Sequence, residues 1–301
     1  PPMVERPDPS LKKSREKEYN AIKLRLSIAD IVLNIVIIGI LAFSGISPFI
    51  VKAVTGYFIN DYLVFLVFIT VVGVIYSVLD FPFDFYGGYV VEHRFDLSNQ
   101  SVPAWLFEKI KGAAVGAVVG VPVAMVFYLF LKMTGWLWWL WFSIFMFFIS
   151  VFLARIAPVV IFPLFYKFRE LESDEIRERI RGLLEGQGIS IRGIYSFNLS
   201  KDTKKANAGF TGIGRSKRII QSDTLIEKFS PDEIAVIFAH EMGHYKKRHI
   251  VKSIVLGTAS IFLSFYLCGE LYRITLAQLG YSNVYDIAAI PILFFYLTLF
   301  S

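Results

Sequence analysis

Six apolar runs constrain the fold of this chain more than any other feature. They lie near residues 26–46, 62–91, 112–131, 136–165, 251–279 and 286–301. A helix that crosses a bilayer needs about 20 mainly apolar residues, because each residue rises about 1.5 Å and the hydrocarbon core is about 30 Å thick. The composition agrees, with 55% hydrophobic residues and 29 phenylalanines. We therefore predict a mainly α-helical, multi-pass membrane protein.

Basic residues are distributed unevenly between the two ends of these runs. One group precedes the first run or lies in the loop after the second: Lys12, Lys13, Arg15, Lys17, Lys23, Arg25, Arg94, Lys109 and Lys111. The opposite ends carry only Lys52, Lys132 and Arg273. This positive-inside pattern predicts that the N-terminus, the 92–111 loop and the 166–250 segment face the cytoplasm. Because the pattern accounts for the net charge of +6, we expect a lipid bilayer and no nucleic acid as partner.

Composition divides the chain into three regions. Residues 1–165 hold the N-terminal tail and four predicted transmembrane helices, and residues 251–301 hold a fifth helix and the start of a sixth. Residues 166–250 are charged and mixed, which predicts a compact extramembrane module. The single cysteine, Cys268, lies in a predicted span, so the sequence excludes an internal disulfide and a cysteine-ligated metal site.

The middle region has the patterns of a small α+β domain. Ser173 to Gly186 is typical of an amphipathic helix, and Arg192 to Leu199 is typical of a strand. Ala208 to Ile213 and Lys217 to Gln221 are predicted to pair as a hairpin. We therefore expect a few strands beside one or more helices on the cytosolic side of the membrane.

An H-E-x-x-H motif at residues 240–244 supplies the chemistry that this module is expected to perform. On a helix, His240 and His244 are one turn apart, so both imidazoles can reach one Zn²⁺ while Glu241 lies beside its open position. The pattern predicts a zinc hydrolase with Glu241 as general base. The alternative is a polar helix face that matches the motif by accident. A capping box from Ser230 to Glu233, with Pro231 at the first helical position, favours a helix through the motif.

A candidate peptide-binding strand precedes this helix. Proteases commonly hold an extended peptide by pairing it with an exposed edge strand. Asn207, Ala208, Gly209 and Phe210 are the candidate residues, and an ordinary hairpin strand with a tolerated glycine is the alternative interpretation.

Several separated segments form a further pattern: Glu92-His93-Arg94-Phe95, Pro163-Leu164-Phe165, Asn207-Ala208-Gly209-Phe210-Thr211-Gly212, Lys217-Arg218-Ile219-Ile220, Asp223-Thr224-Leu225 and the motif helix from Ala239 through His249. Together these segments resemble the type 1 CAAX prenyl proteases, a family of integral-membrane zinc metallopeptidases. The resemblance implies a helical ring around a chamber, closed on the cytosolic side by the catalytic domain. It also implies one zinc ion per chain, a prenylated C-terminal peptide as substrate, and a groove lined by the Asn207 segment.

The resemblance also implies a third zinc ligand, a glutamate on a later helix. Glu270 is the only glutamate after the motif, and a continuous helix would place it roughly 39 Å from His244. Since the chain stops within an apolar run, we expect the third ligand beyond residue 301. His249 is not expected to be a ligand, because nine residues at about 100° each put it opposite His240 on one helix.

Ionisable residues within the predicted spans form a separate group. Asp80 and Asp84 are one turn apart on the second span, and Arg155 lies deep in the fourth. Because charges in hydrocarbon are unfavourable, these residues are expected either to pair, Asp84 with Arg155, or to line a wet chamber.

Two other functions fit parts of the sequence. A bacterial stress metalloprotease that degrades damaged membrane proteins has the same motif, and a transporter or scaffold with a vestigial motif has the same spans. The sequence does not choose between the endoplasmic reticulum and a bacterial inner membrane.

Overall fold

A computed structural model describes residues 9–185, 191–211, 218–247 and 249–300, without the side chains of residues 9–13, 244–246 and 249–251. The chain forms two compact units. The first comprises Pro1–Asp96, Gly120–Trp139 and Ser264–Ser301, and the second comprises Leu97–Val119 and Leu140–Leu263.

Long apolar helices account for most of residues 9–165, as predicted. The helices are α1 (Pro9–Phe43), α2 (Ile46–Thr55), α3 (Asp61–Phe85), α4 (Val91–Arg94), α5 (Val102–Thr134), α6 (Trp138–Ile156) and α7 (Phe162–Phe165). Single π-helical turns at Tyr86–Val90 and Ala157–Ile161 join α3 to α4 and α6 to α7. Gly135, directly after α5, has a φ of 54°, which favours a residue without a Cβ.

The membrane-span candidates account for five of the six predicted runs, with different ends. Among the described residues, the runs Ser14–Phe43, Asp61–Arg94, Val102–Phe165 and Lys252–Leu279 are long and apolar enough to cross a bilayer. Val102–Phe165 contains two of the predicted spans. The multi-pass prediction is therefore confirmed, although the segment expected to separate the first two spans contains α2.

Buried aromatic side chains form the core of the first unit. Phe65 stacks on Tyr128 with ring centroids 4.5 Å apart, and Trp138 is fully buried. Lys132, one of the few basic residues predicted on the non-cytoplasmic side, lies 2.6 Å from an Asp61 carboxylate oxygen. This ion pair balances the positive charge at that end of α5.

The second unit contains the predicted α+β domain. Its strands, within the residues that the structure describes, are β1 (Phe168–Glu170), β2 (Ile194–Phe197), β3 (Ala208–Thr211) and β4 (Arg218–Ser222). They form one sheet in the order β1-β2-β4-β3, in which β2 and β4 are parallel and the other pairs antiparallel. The predicted antiparallel pairing of β3 with β4 is confirmed, while residues 212–217 of that prediction lie outside the described residues. Strand β1 has no counterpart in the sequence analysis.

In the described part of this region, the sheet is accompanied by α8 (Asp174–Leu184), α9 (Asp223–Lys228) and α10 (Pro231–Lys246). The predicted amphipathic helix is α8, which begins after Ser173, whose Oγ accepts the Ile176 N–H at 3.3 Å. The apolar core of the domain joins helices and strands: Leu171, Ile176, Ile180, Ile194, Ile219, Leu225, Ile234 and Phe238. This core fixes α10 relative to the sheet.

The last two helices are α11 (His249–Leu279) and α12 (Ile290–Leu299). The predicted sixth run begins too early, since residues 283–289 form turns in which Asp286 N–H and Ala289 N–H donate to Asn283 and Asp286 carbonyls. At ten residues, α12 is shorter than a bilayer crossing requires.

Candidate metal centre

The helix that carries the motif begins as predicted. The Ser230 backbone N–H donates to Glu233 Oε2 at 2.8 Å, and the Glu233 N–H donates to Ser230 Oγ at 3.4 Å. These reciprocal bonds satisfy backbone donors that an uncapped helix leaves free. They also hold the pKa of the Glu233 carboxyl below its usual range, first through the Ser230 backbone donor and then through its hydroxyl. The capping box is confirmed.

The motif residues lie on one uninterrupted helix. Helix α10 runs from Pro231 to Lys246, so His240 and His244 are one turn apart along it. His240 is exposed and Glu241 is half-buried, whereas the side chain of His244 lies outside the described residues. Of the side chains that the structure describes, no three His, Cys, Asp or Glu residues form a group that could hold a metal. The backbone frame fits two imidazole ligands, and a third ligand stays a prediction.

One face of α10 packs against the sheet, and another face carries the histidines of the motif. Ile234 and Phe238 are buried one turn apart and face the sheet. Glu241 follows Phe238 by three residues, so it lies beside the sheet-facing side, while His240 lies about 200° around the helix from Phe238. The carboxylate is therefore placed between the imidazole face of α10 and the sheet.

The candidate peptide-binding strand lies at an edge of the sheet. Strand β3 is last in the strand order and pairs with β4 in the described part of the sheet. The Phe210 ring contacts the Phe238 ring with centroids 4.9 Å apart, which joins this edge strand to the motif helix. Asn207 is exposed, and its backbone N–H donates to Ser222 Oγ at 2.9 Å while its carbonyl accepts the Ser222 N–H at 2.8 Å.

Ser222 is a residue whose importance the sequence analysis missed. It is fully buried and caps α9, because its Oγ accepts the Leu225 N–H at 3.2 Å in addition to the Asn207 N–H. The signal was present in the sequence, since a serine before Asp223 is a preferred helix N-cap. Through this side chain, the start of β3 and the start of α9 are fixed to one point.

His249 was excluded as a ligand on the assumption that one helix runs from His240 to His249, and this assumption was wrong. The helix of the motif ends at Lys246, and a new helix begins at His249. A count of 100° per residue from His240 therefore does not give the direction of His249, and its exclusion as a ligand stays a prediction. The same break removes the continuous-helix distance to Glu270.

Two models of known protein families match nearly the whole chain. Residues 8–167 match the model described as the N-terminal part of CAAX prenyl proteases with five membrane helices, and residues 170–300 match the model of peptidase family M48. The chain belongs to peptidase family M48. Membership of the M48 family confirms the resemblance drawn from the separated segments, and it implies a metal cofactor.

Relatives of the M48 chain include proteins from yeasts and a bacterium. It is 34% identical over 205 residues to CAAX prenyl protease 1 of Saccharomyces cerevisiae, and the alignment covers 66% of this chain and 44% of that protein. It is 29% identical over 293 residues to the uncharacterized metalloprotease YhfN of Bacillus subtilis, and the alignment covers 95% of this chain and 67% of that protein. The chain thus spans less than half of the yeast relative.

A solved structure has the same fold. The crystal structure of Ste24p from S. mikatae matches with a TM-score of 0.79 at 27% identity, over 91% of this chain and 65% of that chain. The family model is described as having five membrane helices. Within residues 9–165, the M48 chain has four long helices, α1, α3, α5 and α6, and the shorter α2. The predicted helical membrane fold with a small sheet is confirmed.

The Glu92 segment of the M48 chain supports helix packing in the first unit. A Glu92 carboxylate oxygen accepts the Tyr19 hydroxyl at 2.7 Å and lies 3.2 Å from Lys23 Nζ. Arg94 pairs with Glu18 at 2.6 Å, so the segment is tied to the first half of α1.

The charges within the spans fall in different units. Asp80 and Asp84 line a cavity of about 310 Å³ together with Lys23 and Asp30, all in the first unit. Arg155 belongs to the second unit, so the pairing of Asp84 with Arg155 stays a prediction.

Proposed function

We propose that this chain carries the catalytic machinery of a membrane-embedded zinc metalloendopeptidase. The observation that supports the proposal most directly is a capped, uninterrupted helix that bears the histidines and Glu241 beside an edge strand. Membership of peptidase family M48 agrees with this chemistry. His240 and His244 are the proposed ligands, and Asn207, Ala208, Gly209 and Phe210 are the proposed peptide-binding residues.

Each part of the site has a defined task in this proposal. Zinc held by the two imidazoles would polarise the scissile carbonyl and lower the pKa of a water molecule. Glu241 takes a proton from the attacking water and delivers it to the nitrogen of the leaving amine. The substrate backbone pairs with the free edge of β3, so that main-chain hydrogen bonds hold it extended across α10.

The proposed substrate is a prenylated C-terminal peptide of the CAAX type, from which the terminal tripeptide is removed. Support comes from the yeast relative, whose name is CAAX prenyl protease 1, and from the N-terminal family model, whose description names CAAX prenyl proteases. The positive-inside pattern supports a site on the cytoplasmic side of the membrane.

Glu241→Gln tests the assignment of the general base. The amide keeps the size of the side chain but cannot accept the proton, so turnover of a farnesylated peptide should fall by roughly 10²- to 10⁴-fold. The zinc content of the purified protein should stay unchanged. Glu227→Gln, at an exposed position on α9, is the matched control and should retain full activity. Turnover by Glu241→Gln equal to that of the control would exclude Glu241 from the role.

A second substrate class has its own support. The bacterial relative covers 95% of this chain, and its name specifies a metalloprotease without a substrate. A protease for damaged membrane proteins would cleave an unfolded membrane protein faster than a farnesylated peptide. Direct comparison of the two substrates, with a zinc chelator as the inactive control, decides between the proposals.

A further inference from the structure

The loop between α4 and α5 is bonded to the segment that leads into β3. The Leu97 carbonyl accepts two hydrogen bonds, from Thr203 Oγ1 at 2.6 Å and from the Lys204 N–H at 2.9 Å. Ser98 forms an antiparallel β-bridge with Thr203. The Asn99 side-chain amide donates to the Ser200 carbonyl at 2.8 Å. We call residues 97–100 the bracket.

Asp202 is the side chain at which the bracket meets the segment. Gln100 Nε2 donates to Asp202 Oδ1 at 2.8 Å, and the Asn99 N–H donates to the Asp202 carbonyl at 3.0 Å. Tyr166, directly after α7, lies close enough to Asp202 for that carboxylate to act on its hydroxyl. Burial, followed by the charge and hydrogen bond of Asp202, raises the pKa of Tyr166 to about 12, so this hydroxyl keeps its proton at neutral pH. Asp202 thus connects the bracket, the end of α7 and the segment before β3.

The other side of the segment is held by the start of α9. Asp223 accepts the Ser200 N–H at 2.9 Å and the Ser200 hydroxyl at 2.5 Å. Thr224 Oγ1 donates to the Lys205 carbonyl at 2.8 Å. Residues 200–205 are therefore fixed between the bracket and α9 immediately before the chain enters β3.

We propose that the bracket positions β3 for the peptide substrate, with Gln100 and Asp202 as positioning residues. The inference rests on the proposed peptidase function and adds to it. An edge strand has a neighbour on only one side, so its position depends on that neighbour and on the chain that leads into it. A fixed edge binds an extended peptide without first being ordered, which favours binding. Both residues contact the bracket or the segment before β3, so the bracket acts on substrate binding and leaves the proton transfer by Glu241 unchanged.

The test compares Asp202→Ala with Asp202→Asn. The alanine variant removes the acceptor of Gln100 and should raise KM for a farnesylated peptide roughly 3- to 10-fold with kcat within about twofold, the loss expected for one or two hydrogen bonds in binding. The asparagine variant retains an acceptor oxygen and should restore KM. Asp174→Ala, at an exposed position on α8, is the control. Gln100→Ala should raise KM, with no further increase when combined with Asp202→Ala.

A second measurement distinguishes a failure of the positioning role from a failure of the proposed peptidase function. Hydrogen exchange of the backbone amides at residues 208–211 should become faster in Asp202→Ala without substrate, while the amides of α10 exchange at the wild-type rate. Unchanged exchange at these amides, or an unchanged KM in both alanine variants, would overturn the positioning role. An equal loss of exchange protection in α10 would overturn it too, because it would indicate general destabilisation. Absence of turnover by the wild-type protein would contradict the peptidase function, and the exchange measurement would still decide whether the bracket holds β3.

Discussion

At the scale of single residues, Gln221 on β4 is an unfavourable group within the domain core. Its side chain is 1% exposed, and among the described residues neither its Nε2 nor its Oε1 has a hydrogen-bond partner. Ile219, two residues earlier, belongs to the apolar core, and alternation along a strand puts both side chains on the same face. A buried amide without partners lowers stability, because its groups lose their bonds to water on folding.

Replacement of Gln221 should therefore stabilise the protein. Gln221→Leu keeps the approximate volume and removes the unpaired donor and acceptor, which should raise the free energy of unfolding by about 1–3 kcal/mol. Denaturation of the detergent-solubilised protein measures the change. Gln221→Glu buries a charge at the same position and should lower stability, which provides the opposite control. A leucine variant less stable than the wild type would indicate that the amide has a bound partner, such as water.

At the scale of elements, the contact between β3 and α10 joins the proposed peptide-binding strand to the motif helix. Phe210→Ala removes the ring that packs against Phe238, and it should lower the free energy of unfolding by about 1–3 kcal/mol, below the range for a fully buried phenylalanine. Val236→Ala, at a position on α10 that is 71% exposed, is the control and should change it by less than about 0.5 kcal/mol. Equal effects of the two substitutions would show that the aromatic contact does not join the elements.

The elements that the sequence predicted are those specified by local patterns. The cap at Ser230, the amphipathic face of α8 and the hairpin of β3 and β4 each depend on residues close together in the chain. Strand β1 was missed because Phe168-Arg169-Glu170 is three residues long and does not alternate. The break between α10 and α11 was missed because neither proline nor glycine marks it.

In the candidate site, too, the features that depend on local patterns were predicted and those that depend on distant contacts were not. The spacing of His240, Glu241 and His244 predicts a shared helix, since a turn of helix is a local repeat. The contact of Gln100 with Asp202 joins residues 102 positions apart, and no local pattern encodes such a pair. The edge position of β3 was a hypothesis from the sequence, because strand order depends on tertiary pairing.

At the scale of the whole molecule, the Lys and Arg residues in the loops predict the orientation in the membrane. Among the described residues, basic residues before the first run and in the 92–111 loop pair with acids: Lys23 with Glu92, Arg94 with Glu18 and Lys111 with Glu108. These pairs do not weaken the orientation argument, because the positive-inside rule counts Lys and Arg while Asp and Glu contribute little. The expected outcome is a cytoplasmic 166–250 segment, with the connection between α2 and α3 on the opposite side.

The single cysteine makes this orientation testable by labelling. Cys268 is the single cysteine of this sequence and it is buried. Cys268→Ala removes it, so that one new cysteine can then be placed at a chosen position. Ile59, between α2 and α3, is 99% exposed, and Ile59→Cys should react with a membrane-impermeant maleimide in sealed vesicles whose outer face is the non-cytoplasmic side. Glu227→Cys, on α9, should react only after detergent is added, because the bilayer separates it from the reagent. The reverse pattern would place the α+β domain on the non-cytoplasmic side and would separate the proposed site from any cytosolic prenylated substrate.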